Sequence, residues 1–75
     1  MKYILAIHNT LSDIFIKCFD TKEDLLAFFN DNDWNLIDTV DWNHLEKYTN
    51  VEAKCVADKQ SSAWYHLRAY LRVIK

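Results

Sequence analysis

A chain of 75 residues hides only about 60% of its unfolded surface when it folds, too little for a second core or a deep substrate cleft. Its residues are 51% hydrophobic, 15% aromatic and 27% charged, which is too apolar for a disordered chain. The absence of glycine and proline excludes the glycine-rich loops that cradle phosphates and the glycine-flanked elbow of a serine nucleophile.

Net charge is −2, unevenly spread. Residues 1–20 balance, residues 21–50 set Lys22 and Lys47 against seven acids for −5, and residues 51–75 reach +3 through Lys54, Lys59, Arg68, Arg72 and Lys75. Such polarity can steer a partner, let two copies pair head to tail, or cancel within one fold. Cys18 and Cys55 lack CxxC spacing and sit among apolar neighbours, so both are expected as small core residues in a reducing compartment. Met1 is followed at once by alternating residues, and no apolar run approaches 18 residues, which predicts a cytoplasmic protein without membrane association.

Along the chain, KYILAIHN alternates Tyr3, Leu5 and Ile7 against Ile4, Ala6 and His8, and DIFIKCF alternates Ile14, Ile16 and Cys18 against Phe15, Lys17 and Phe19. Both predict strands, joined by a hairpin loop over residues 9–12. Without glycine, a positive φ must fall on Asn or Asp, and Asn9, Asn30, Asn32 and Asn50 are the candidates. Thr21 and Asp24 then form a capping-box variant before Leu25, Phe28 and Phe29, predicting a helix from Lys22 to Asn30.

The stretch DWNLIDTVDWN places Asp-Trp-Asn twice at a spacing of eight. On a strand the two tryptophans share a face, whereas on a helix they stand about 80° apart. With Ile37, Thr39 and Val40 β-branched, a half-buried strand from Trp34 to Trp42 is expected, with Asp38 the one polar residue on its tryptophan face. Asp41 is positioned to cap a short helix over WNHLEKYT with Glu46 and Lys47 outward.

The last third admits two patterns. VEAKCVAD and AWYHLRAYLRVIK alternate as a strand pair joined by DKQSS, yet Ala53, Val56, Gln60, Ala63, Leu67, Tyr70 and Ile74 also make a helical stripe. The hairpin is preferred, because a helix would leave Tyr65, Ala69 and Val73 on its outer flank. Either way the expected class is α+β: a small single domain with an antiparallel sheet of three to five strands and one or two helices packed on one face.

No constellation reads as catalytic, so no enzyme activity and no cofactor are expected. His8, His44 and His66 match no zinc spacing with the cysteines. Asp31 and Asp33 open like a calcium loop, but Leu36 and Trp42 stand where it needs glycine and a bidentate glutamate. Asp33, Asp38 and Asp41 are available as paired carboxylates, but such Asp-rich turns more often cap backbone. The functional candidate is the outer row of the last strand, Trp64, His66, Arg68, Tyr70 and Arg72, joined by Asp38 and Trp42 on the tryptophan face. Trp, Tyr and Arg are the residues that dominate protein hot spots, and rings alternating with cations also suit base stacking and phosphate neutralisation. The same rings would serve to fill a core beneath the helices. These residues lead to a small protein-binding adaptor or inhibitor that docks on another protein, of a kind that suits a phage or mobile-element modulator of a host protein. The alternatives are a single-stranded nucleic-acid binder, disfavoured by the acidic middle of the chain, and a homodimer formed by the opposite charges of neighbouring copies.

Overall fold

A computed structural model of the chain describes residues 1–9, 13–49, 51–60 and 65–75. Its element order is β1 (Lys2–Asn9), β2 (Ile14–Phe19), α1 (Lys22–Asp31), β3 (Asn35–Leu36), a short 3-10 turn (Leu45–Tyr48), β4 (Lys54–Gln60) and β5 (His66–Ile74). The strands form one antiparallel sheet in the order β2-β1-β5-β4-β3. This is the expected α+β arrangement, with the helix on one face. The first and last long strands are neighbours at its centre, and α1 carries the chain from one edge of the sheet to the other.

Alternation decides the core. Tyr3, Leu5 and Ile7 of β1 lie opposite Val73, Leu71 and Ala69 of β5, and all six are buried. Leu25 and Phe29 of α1 close over them. The helix begins where Thr21 Oγ1 accepts the Asp24 N–H at 3.1 Å, the cap that Thr21 and Asp24 announce. It ends one residue beyond the predicted limit, at Asp31, with the Asn32 side chain donating to the Phe28 carbonyl at 2.7 Å. In β4 the register slips between Cys55 and Ala57. The extra residue turns two successive side chains, Val56 and Ala57, into the core where a regular strand buries alternate ones.

Several expectations are corrected. Residues 34–42 are not one strand: only Asn35–Leu36 pairs with β4, and the chain turns at Asp38 and Thr39. The tryptophans nevertheless converge, because Trp34 and Trp42 stand edge-on to the Phe29 ring at centroid distances of 5.7 and 6.0 Å. The repeated triplet therefore marks two anchors of an irregular segment on one core ring. The predicted helix over WNHLEKYT shrinks to the 3-10 turn, and Asp41 clasps side chains rather than capping a helical N–H. Cys18 is exposed and Cys55 half-buried, because both point away from the helix.

Positive φ falls on Asp33, at 58°, directly after α1, and not on Asn9, Asn30 or Asn32. Asn9 is instead buried. Its Oδ1 accepts the Asp13 N–H and its Nδ2 donates to Tyr65 Oη, both at 3.0 Å, so a buried amide ties the β1–β2 connection to the start of β5. Residues 10–12 of the hairpin loop expected over residues 9–12, Asn50, and the start of the last segment through Trp64 lie outside the described residues.

Candidate partner-binding face

The second face of the sheet has no helix over it among the described residues. Residues of even number in β1 and β5 point to this face, and none of them is buried, whereas most of their odd-numbered neighbours are. β5 supplies its central line, His66, Arg68, Tyr70 and Arg72, with Ile74 at the end. Across the strand boundaries His8 stands beside Arg68, Ala6 beside Tyr70 and Ile4 beside Arg72. Further out, β2 sets Ile14 beside His8, Ile16 beside Ala6 and Cys18 beside Ile4. On the other flank β4 places Asp58 beside Arg68 and Cys55 beside Tyr70. Opposed side chains on one face lie within about 5.5 Å at Cβ, so these rows form a contiguous surface.

Its chemistry is mixed. Ile14 and Ile16 are 62% and 60% exposed, large values for β-branched apolar residues in regular strands. Lys2, Arg68 and Arg72, with His8 and His66, give the face a positive sign, and Asp58 is the acid set among them, with His66 Nε2 3.9 Å from its Oδ2. That contact is long and exposed, and contributes little. A hollow of about 250 Å³ lined by His8, Asn9, His66 and Arg68 lies at one end. The acids between Glu23 and Glu46 lie in α1 and in the turns after it. Of the bases of residues 51–75, Arg68 and Arg72 lie on this face, whereas Lys54 and Lys59, opposite Leu71 and Leu67, lie on the helix side, so the charge asymmetry of the sequence is only partly an asymmetry between layers.

Of the residues singled out by sequence, the fold brings together His66, Arg68, Tyr70 and Arg72, all on this face. Trp64 lies outside the described residues. Trp42 belongs to the helix layer, its Nε1 donating to the Ile37 carbonyl at 3.3 Å and its ring against Phe29. Asp38 is exposed in the turn after the edge strand β3, separated from the β5 row by β4. Sequence reasoning passed over Ile4, Ala6, His8, Ile14 and Ile16. The available signal was in IFIKCF, apolar at both parities, a pattern that fits either a strand buried on two faces or an edge awaiting cover.

Asp41 accepts from Lys47 Nζ at 3.1 Å, and its other oxygen lies 3.1 Å from His44 Nδ1. The Lys47 hydrogen bond, then that of His44, holds the carboxyl below its ordinary range, and the same contact raises Lys47. This carboxylate fastens the 41–48 turn, where the Asp41 N–H also donates to Tyr48 Oη at 3.0 Å. Among the described residues no three His, Cys, Asp or Glu side chains are grouped to hold a metal ion, and no helix is long and apolar enough to cross a membrane. On the helix side, a hollow of about 370 Å³ has Ile7, Phe28, Trp34 and Leu67 in its walls, with Lys17 and Lys59 at its polar border.

Compared with known proteins, the chain matches no family model, no curated protein and no solved structure.

Proposed function

We propose that this protein is a docking module, an adaptor or inhibitor that binds another protein across the uncovered face of its sheet. One observation carries the reading: Ile14 and Ile16, 62% and 60% exposed, share a continuous face with Tyr70, Arg68 and Arg72. An apolar strip beside a ring and guanidinium groups is the make-up of an interface centre with its polar rim. The positive sign of the face selects a partner surface that is apolar with acidic borders.

The basic sign of the face also favours a second reading, a single-stranded nucleic-acid binder. That mode draws its affinity from several stacked rings, and Tyr70 is the one Phe, Tyr or Trp among the described residues of this face. The exposed isoleucines Ile14 and Ile16 on the same face give no platform for stacked bases but suit an apolar interface centre, which supports the protein-docking reading.

Affinity capture with the intact chain and with Tyr70→Ala plus Arg72→Ala tests the proposal. A partner held by the first and lost by the second, with unchanged melting temperatures, supports it; equal capture by both refutes it. Fluorescence titration with a single-stranded oligonucleotide at low and high salt decides the second reading. Quenching that fades with salt moves nucleic acid to first place, and silence at low salt removes it.

A further inference from the structure

We propose that two copies of this protein join by their β2 edges into one antiparallel ten-stranded sheet, about a two-fold axis at Phe15. The inference goes beyond the docking face and stands apart from it, since either surface can work without the other.

Among the described residues β2 ends the sheet and pairs with β1 alone. The Asn9 N–H donates to the Asp13 carbonyl at 3.2 Å, which makes Asn9 and Asp13 a hydrogen-bonded pair. By antiparallel alternation the N–H and C=O groups of Ile14, Ile16 and Cys18 then point outward along the free edge. Proteins blunt such edges by shortening or bulging them, or by placing charges and proline on them. The opposite edge, β3, has two residues. β2 has six, keeps an unbroken register from Phe19 to Ile14, and contains one charge, Lys17. Ile14, Phe15 and Ile16 are each more than half exposed. A long, regular, apolar edge of this kind recruits another strand.

Charge and register select a second copy as the occupant. Outward-facing backbone groups must meet outward-facing ones, so even-numbered residues oppose even-numbered residues of the partner. Centring the axis on Lys17 opposes Lys17 to the partner's Lys17, a like-charge contact. Centring it on Ile16 sets Lys17 against the partner's Phe15 and leaves Asp13 opposite an aromatic ring. Centring it on Phe15 places Asp13 against the partner's Lys17 and Lys17 against the partner's Asp13. In that register Ile14 and the partner's Ile16 exchange backbone hydrogen bonds, and the two Phe15 rings meet in the closely spaced, non-hydrogen-bonded position. The stretch DIFIK, Asp13 to Lys17, complements itself in this register. Because the axis runs perpendicular to the sheet, both uncovered faces lie on one side and fuse into a surface of twice the area.

Sedimentation of the full chain from low to high micromolar concentration, for wild type, Asp13→Lys and Lys17→Asp, tests this. Wild type is expected to form a dimer whose fraction rises with concentration. Each variant, facing like charges at both ends of the seam, is expected to dissociate at least tenfold more readily, while an equimolar mixture of the two regains the dimer because every facing pair is again opposite. Ile16→Pro removes an outward N–H without touching the β1 ladder and is expected to give a folded monomer by circular dichroism. A wild type that stays monomeric at the highest concentration overturns the proposal. So do charge variants that dimerise like wild type, a mixture that fails to recover the dimer, or a folded Ile16→Pro that still dimerises.

Discussion

The two faces of this sheet are built from the same strands and do opposite work. In β1 and β5, residues one position apart differ between complete burial and exposure: Leu5 and Leu71 are sealed beneath α1, while Tyr70 and Arg72 beside them face outward. On the helix side the side chains are fixed by packing, with Phe28, Phe29 and Trp34 in mutual ring contact and Trp42 against Phe29. On the other side isoleucines stand on one face with arginines, with no helix over them among the described residues. The buried side chains of β1 and β5 gather on one face, and the second keeps its side chains at least partly exposed.

The largest effect that separates the faces is expected at Phe29, the ring on which both tryptophans rest. Phe29→Ala should cost about 3–5 kcal/mol through lost contacts and a residual cavity, comparable with the whole stability of a chain this size, about 4–11 kcal/mol. Urea denaturation followed by tryptophan fluorescence measures it, and a loss below about 1 kcal/mol would show that the core does not centre on this ring. Next comes Asn9→Ala, which deprives the Asp13 N–H and the Tyr65 hydroxyl of a buried partner and should cost about 1–3 kcal/mol. Amide exchange at Asp13 should accelerate in that variant, and unchanged protection would contradict the role given to Asn9.

On the uncovered face the contrast should reverse. Tyr70→Ser is expected to move stability by no more than the roughly 0.2–1 kcal/mol of a cross-strand pair. A loss as large as that of Phe29→Ala would mean that this face, too, holds the fold together. The smallest effect concerns Asp41. Its carboxyl is held below the ordinary range by Lys47 and His44, so its contribution is present above the usual carboxylate pKa and disappears as pH falls through the lowered folded value. Lys47 is raised by the same contact, so its contribution is lost as pH rises through the raised folded value. The melting-temperature difference between wild type and Asp41→Asn should therefore be widest near neutrality, small because both groups are exposed, and should vanish towards strong acid. A difference that grew below the carboxylate range would reverse the assignment.

What the sequence by itself determined is what depends on local period and local chemistry. Tyr3, Leu5 and Ile7 read as a buried stripe because side chains on a strand alternate. Thr21 read as a helix start because its hydroxyl reaches the Asp24 N–H, whereas after residue 50 the sequence admitted both a strand pair and a helix, and the pairing of β4 with β5 decided between them. The positions of His66, Arg68, Tyr70 and Arg72 on one face were legible for the same reason. Only the tertiary structure decided which strands lie at the edges and which face the helix covers, because both depend on contacts between residues far apart in the chain. Period 2 sorts side chains into two sets without saying which set meets a helix. Cys18, expected inside, lies outside on that account, and Ile14 and Ile16 become surface. The tryptophan repeat failed as a strand signal because Phe29, on another element, holds both rings in place without needing regular backbone between them.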